Sequence, residues 1–416
     1  MTDTILHHQL DNGLALLGEP MPWLRSAAFS FLLPAGTCYE PNHLDGLATF
    51  TCEMVQRGCG PWDSRSFLEQ LDYLGVERSS AVTSTHASFS CAMPSGALEQ
   101  IVRMYCQLAR EPHLPKSQLE DARSLCLQDL RALDDEPSHR CFSELKRFRF
   151  PAPYGRITQG TQAGLQAIKH TAVTDFFRKC YSPRGSILAV AGQFDWSKLC
   201  DLVEAELGDW QGPEPQRLPA LLPNYGSRHV DHSSNQTHIA LAYECAAFSD
   251  PHYYEARSLV GILSDGMSSR LFTELRDKRG LVYSVFASCF TLAAQGTVLC
   301  YAGTTANRAQ ETLEVLLGCI EELSRGISED ELERLKYRIK SSLVFEQESS
   351  AARSSQIASD WYFLGRVPGR EETCARFDAL TTSGLVDYFK QNRPTHFSLI
   401  TVGSQPLELP VGTAHS

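Results

Sequence analysis

One order of elements occurs twice in this chain, about 210 residues apart, and no other feature constrains the fold as tightly. The alternating segment SAAFSFLLPAG (26–36) has a counterpart in THIALAYECAAF (237–248). The amphipathic stretches LPKSQLEDARSLCLQDLRAL (114–133) and ISEDELERLKYRIKSSLVF (327–345) begin 213 residues apart. SILAVAG (186–192) and FSLITVG (397–403) end on glycines 211 residues apart. Three elements at one offset imply duplication and fusion of a single α/β unit. Within 114–133, Leu119, Ala122, Leu125, Cys126 and Leu130 share one helical face, while the flanking segments alternate with period two. The expected class is α+β: two homologous α/β sandwich domains, with helices on one face of a mostly antiparallel sheet. The proline-rich stretch GDWQGPEPQRLPALLPNYGSRH (208–229) reads as the connection. It divides the chain into an N-terminal domain at 1–212, a linker at 213–229 and a C-terminal domain at 230–416.

Composition removes several function classes. A net charge of −11 argues against a nucleic-acid partner. No apolar run approaches the roughly 18 residues of a membrane span, so no membrane partner is expected. The opening MTDTILHHQLDNG has no basic segment followed by an apolar one, and so does not read as a signal peptide. Fourteen cysteines are scattered from Cys38 to Cys374 without a CxxC pair. That spacing suits free thiols in a reducing, cytoplasmic compartment better than a zinc ribbon or a redox motif. His229, His232 and His238 in HVDHSSNQTH have no acidic or thiol partner at ligand spacing and are expected to be solvated, as are His7 and His8. No phosphate loop and no GxSxG elbow is present.

In LRDKRGLVY, Arg276 falls in the last turn of a helix ended by Gly280, and Tyr283 on the strand that follows. Read from composition, the pair is a helix-terminal cation and a sheet tyrosine.

Several blocks together resemble the pitrilysin/insulinase family of zinc peptidases, in particular its short bacterial, mitochondrial-processing-peptidase-like branch. They are LDNGL (10–14), SFLLPAGTCYEP (30–41), PYGRITQGT (153–161), YSPRGSILAVAGQFD (181–195) and DGMSSRLFTELRDKRGLVYSV (265–285). The family signature is HxxEH on a helix, where residues i and i+4 share a face and grip one Zn²⁺ while the i+3 glutamate activates water. A further glutamate ligand follows some 75 residues later. Here the corresponding helix reads GLATFTCEMVQRG (46–58). The resemblance places Thr49 and Glu53 at the histidine positions, Cys52 at the general base and Asp129 at the third ligand. None of the four family residues is retained, so no cofactor is expected in this chain.

The resemblance gives Arg276 and Tyr283 another meaning. A family arginine and tyrosine at this seven-residue separation hydrogen-bond the substrate near the scissile carbonyl. It also implies that residues Ser79, Ser80, Ala81, Val82 and Thr83, in SSAVTSTHASFSCAMP (79–94), form an edge strand to which an extended peptide can add. Lost ligands with a retained Arg/Tyr pair resemble the silent subunit of a heterodimer. Its partner would be a homologous zinc-bearing subunit, and its substrate an unfolded peptide, such as the precursor processed in pyrroloquinoline quinone biosynthesis. Two rivals stay open: a structural, core-protein-like subunit, and an active peptidase with an unorthodox Cys52/Glu53/Asp129 site.

Overall fold

The structure is a computed structural model that describes residues 5–134, 136–292 and 294–409. Eleven strands form its two main sheets. They are β1 (Leu6–Gln9), β2 (Ala15–Pro20), β3 (Ser26–Leu33), β4 (Glu77–Val82), β5 (Ala87–Pro94) and β6 (Ile187–Gly192), then β7 (Gly226–Asp231), β8 (Gln236–Cys245), β9 (Val282–Leu292), β10 (Gln295–Thr305) and β11 (Ser398–Gly403). The helices that bear on the sites are α1 (Leu47–Val55), α2 (Leu98–Arg110), α3 (Leu119–Asp134), α4 (Pro137–Arg149), α5 (Tyr253–Ser264), α6 (Ala309–Glu321), α7 (Glu329–Glu346) and α8 (Ser350–Leu364).

The first sheet runs β1-β2-β6-β3-β5-β4 and the second β9-β10-β8-β11-β7. Reversing the second list gives the same topology, with β7, β11, β8, β10 and β9 replacing β2, β6, β3, β5 and β4. Even the pairing sense agrees: β2 is parallel to β6 and β7 to β11, and every other pair is antiparallel. The duplication read from spacing is therefore present strand for strand, with β1 an addition to the first sheet.

Each sheet buries one face under a large apolar core. In the first, Phe29, Phe31 and Phe89 meet α1 and α2 through Phe50, Met54, Ile101 and Met104. In the second, Ile239, Leu241 and Val298 meet α5 and α6 through Leu259, Leu263, Leu313 and Leu316. Leu125 departs from the expected helical face of α3: it is 41% exposed, while Ala122 and Cys126 are buried. Position 125 lies to one side of the stripe that Ala122, Cys126 and Leu130 form.

The opposite face of each sheet mixes alanines with larger aliphatic side chains, among them Leu17 and Ile187 in the first and Ile400 and Val402 in the second, and takes one further helix. Ala15, Ala189 and Ala191 receive α8 through Ile357 and Ala358. Ala240 and Ala242 receive α4 through Cys141 and Leu145. Both helices come from the other half of the chain. The compact units are Met1–Arg131 with Arg156–Pro219 and Leu343–Gly369, and Ala132–Gly155 with Ala220–Ser342 and Arg370–Ser416. The boundaries 1–212 and 230–416 drawn from the linker do not anticipate this exchange, because a helix's docking face is set by contacts distant in sequence. Residues 226–229, expected in the linker, open strand β7.

Polar anchors hold each exchanged helix. Arg353 of α8 reaches the Glu19 carboxylate on β2, with both side chains almost fully buried. Arg149, at the end of α4, is fully buried between the rings of Phe150 and Tyr225, at 5.7 and 5.6 Å, and donates to Ser398 Oγ at 3.1 Å. A cation between two aromatic faces keeps part of the stabilisation it loses on leaving water.

The start of α1 depends on a second buried carboxylate. Gly46 adopts φ +102°, and Glu40 Oε1 accepts the backbone N–H of Gly46 and Ala48 at 3.2 and 2.8 Å, filling the N-terminal donors of the helix. Arg156, from the PYGRITQGT block, binds the Thr37 and Glu40 carbonyls and Asn42 Oδ1. Burial pushes the Glu40 carboxyl up to about 7, against the pull of these amides and Arg156.

Two predictions follow from these anchors. Arg353→Met removes the guanidinium from the buried Glu19 carboxylate and should cost about 3–5 kcal/mol, whereas Glu19→Leu with Arg353→Met should recover most of it. Equal melting temperatures for wild type and the single variant would show that the pair is not stabilising. For Glu40, the folded pKa lies above the unfolded one, so its contribution is fully present below the unfolded value of 4.5 and is lost as pH rises through about 7. Glu40→Gln keeps the acceptor and removes the titration. Its stability relative to wild type should rise by up to about 3 kcal/mol between pH 5 and 8 in denaturant melts. Parallel pH profiles would contradict this.

Candidate functional site

Helix α1 carries three of the four degenerate positions, and each is already engaged. Thr49 Oγ1 donates to the Thr158 carbonyl at 2.6 Å. Cys52 is 4% exposed; burial pushes its thiol up to about 12, and the Glu53 carboxylate adds to the effect. Glu53 accepts from Arg57 Nη2 at 2.9 Å, and Arg57 Nη1 is held in turn by Gln118 Oε1 at 3.1 Å. Asp129 is exposed on α3. It shares with Glu53 only a Coulomb influence on Cys126, whose thiol burial pushes up to about 12.

These residues do not fit the zinc that the family motif implies. The hydroxyl is committed to a carbonyl, the carboxylate is neutralised by a guanidinium, and the thiol stays protonated near neutral pH. A thiol held in that form also cannot take a proton from water. Among the described residues no three His, Cys, Asp or Glu side chains group to hold a metal ion. Arg57 was absent from the sequence expectations, although its i,i+4 spacing from Glu53 is a readable ion-pair signal.

In the second unit the LRDKRGLVY block is irregular at both of its candidate residues. Residues Phe272–Lys278 wind as a π-helix, ended by Gly280 at φ +55°, with Leu281 N–H bonded to the Leu275 carbonyl at 2.7 Å. Arg276 sits on it, exposed, with its guanidinium carbon 4.9 Å from the Phe272 ring centroid. Glu274, on the same π-helix, is taken by Lys278 at 2.5 Å and by Arg279. Arg276 forms no ion pair among the described residues.

Tyr283 lies on edge strand β9, against which the π-helix packs. Val282 opposes Thr304 and Ser284 opposes Gly303, so Tyr283 is the extra residue of a β-bulge, 66% exposed. Both irregularities give up regular backbone pairing, and both kinds concentrate where a side chain must be aimed. Neither has a sequence signature, since each shifts the backbone register without changing the apolar pattern.

The remaining candidates divide. Ser79, Ser80, Ala81 and Val82 lie on β4, the edge of the first sheet, and Ser80 Oγ accepts from Gln56 Nε2 at 3.1 Å. Thr83 does not extend the strand. It belongs to the turn before β5, its Oγ1 accepting the His86 N–H at 3.0 Å. His238 is not solvated: it lies on β8, 7% exposed, with Nδ1 2.7 Å from the Tyr301 hydroxyl, and burial lowers its pKa. His229 lies on β7, 2.8 Å from Thr401 Oγ1.

Comparison with known proteins agrees with this architecture. The family model described as Insulinase (Peptidase family M16) matches residues 22–162, and that described as Peptidase M16 inactive domain matches residues 167–338. Uncharacterized zinc proteases of Rickettsia felis and Bacillus subtilis are 23% and 22% identical to the chain. They align over 88% and 90% of it and over 89% and 92% of their own lengths. Among solved structures, a peptidase M16 inactive domain from Pseudomonas fluorescens has a TM-score of 0.88 at 19% identity, covering 98% of this chain and 99% of that one. A chain of complex III2 from Candida albicans has a TM-score of 0.82 at 17% identity, covering 96% of each. With M16 models matching residues 22–162 and 167–338 and the strand order repeated between the two sheets, the chain belongs to the pitrilysin/insulinase (M16) peptidase family.

Proposed function

We propose that this chain is the non-catalytic subunit of a heterodimeric zinc metallopeptidase. It would pair with a homologous zinc-bearing subunit in the cytoplasm and supply Arg276 and Tyr283 to that partner's reaction. The observation that carries this reading is the contrast between the two candidate sites. Every former metal position on α1 is tied up within the chain, whereas Arg276 and Tyr283 are exposed and held out on a π-helix and a β-bulge. A guanidinium and a phenol are donors suited to a carbonyl oxygen on which negative charge develops. The substrate would be an extended peptide, such as a ribosomally made precursor of the kind processed in pyrroloquinoline quinone biosynthesis. Strand β4 offers it an open backbone edge. Among the described residues no helix is long and apolar enough to cross a membrane.

A structural subunit is the second reading, favoured by the likeness to a chain of complex III2 from Candida albicans. A scaffold has no use for two exposed donors on irregular backbone. The unorthodox Cys52/Glu53/Asp129 peptidase is disfavoured by the Glu53–Arg57 pair and the protonated Cys52 thiol.

Two measurements test the proposal. The purified chain alone should retain well under one equivalent of zinc by elemental analysis and cleave no peptide. Stoichiometric zinc with chelator-sensitive cleavage would establish the unorthodox site instead. Mixed with the zinc-bearing partner, Arg276→Ala or Tyr283→Phe should lower turnover about a hundredfold, the loss of about 3 kcal/mol from one oxyanion donor, while co-elution is unchanged. Normal cleavage by both variants would leave the chain as a scaffold.

A further inference from the structure

A cavity of about 340 Å³ opens between the loop after α5 and helix α7. Asp265, Met267 and Ser268 line it from the loop, and Arg334, Tyr337 and Arg338 from the helix. Its acids are already neutralised: Asp265 pairs with Arg257 at 2.9 Å, and Glu331 with Arg270 at 2.7 Å. Arg334 and Arg338 are not. Both are exposed, one helical turn apart, and neither forms an ion pair among the described residues. Like charges at this spacing disfavour a helix, and a chain of net charge −11 has carboxylates to spare for pairing them. The loop makes room for one of them. Gly266 has φ +100°, and a Cβ there would lie 2.7 Å from Arg338 Nη1.

The rest of the cavity is not polar enough for a simple inorganic ion. Ile262 and Leu335 contribute to its wall, and Met267 and Tyr337 are 77% and 72% exposed. Two free guanidiniums over an apolar floor suit a ligand with a charged head and a hydrophobic body. Guanidinium forks match carboxylate and phosphate oxygens in particular.

We propose that this cavity binds a small organic anion, its carboxylate or phosphate head between Arg334 and Arg338 and its apolar body against Met267, Tyr337 and Leu335. None of these residues belongs to the machinery proposed above, so the site stands or falls separately.

The test is calorimetric titration of the full chain with phenyl phosphate, phenylacetate and inorganic phosphate. At least one aromatic probe should bind with a submillimolar Kd, and the stronger of the two identifies the head group. Arg334→Gln and Arg338→Gln should each weaken that probe by about tenfold or more at an unchanged melting temperature. Met267→Ser should weaken the aromatic probe and leave inorganic phosphate unaffected. The proposal is overturned if neither aromatic probe binds the wild type at millimolar concentration, or if both arginine variants bind as wild type does. Inorganic phosphate binding as tightly as phenyl phosphate would also overturn it, because the apolar floor would then contribute nothing.

Discussion

Burial of the central strands on both faces is the constraint on which the rest of the structure depends. Strands β6 and β11 are buried at every position, so each sheet needs a cover on the side away from its main helices. The small side chains of Ala15, Ala189, Ala191, Ala240 and Ala242 leave space for a helix backbone to approach closely. Those covers are α8 and α4, each supplied by the opposite half of the chain. Apolar packing alone does not fix where a helix sits along a sheet face. The buried Arg353–Glu19 and Arg149–Ser398 contacts fix where each helix stops.

With the scaffold fixed this way, the two halves have used the same framework differently. Edge strands β4 and β9 occupy equivalent positions, as do the connections that lead into them. In the first unit that connection contains α1, a regular helix with Glu40 at its N-terminus and Glu53 paired with Arg57. In the second it contains a π-helix and then a bulge, and the polar groups they carry point to solvent. The first arrangement is regular backbone with paired side chains; the second is irregular backbone with exposed ones, a combination that costs stability.

Much of the fold was legible because it rests on local alternation and a repeated spacing. Strands β3, β6, β8 and β11 fall where the matched segments placed them. The losses at Thr49, Cys52 and Glu53 were also legible once the family frame was laid on GLATFTCEMVQRG. What could not be read is long-range or registral. Nothing in the α4 and α8 segments says which sheet they cover, because that is decided by contacts distant in sequence. Thr83 leaves its strand because a local turn competes for its backbone and hydroxyl. His238 is buried because it lies within β8, where the Tyr301 hydroxyl of the neighbouring strand partners its ring, although the polar stretch around it reads as solvated. The π-turn and the bulge at Arg276 and Tyr283 change hydrogen-bond partners without altering composition.

The crossing of α4 and α8 also sets an order of events during synthesis. The last strand of the first sheet ends at Gly192, but the helix that covers its second face begins at Ser350. At ordinary elongation rates the ribosome needs roughly 10–30 s to travel that distance. Throughout that interval the emerging first unit carries an apolar sheet face whose covering helix has yet to be made. Helix α4, made much earlier, waits in the same way for β8 and β11. Each half is thus an incomplete folding unit until the other has emerged. The chain therefore cannot be cut between its halves without uncovering a face of both sheets.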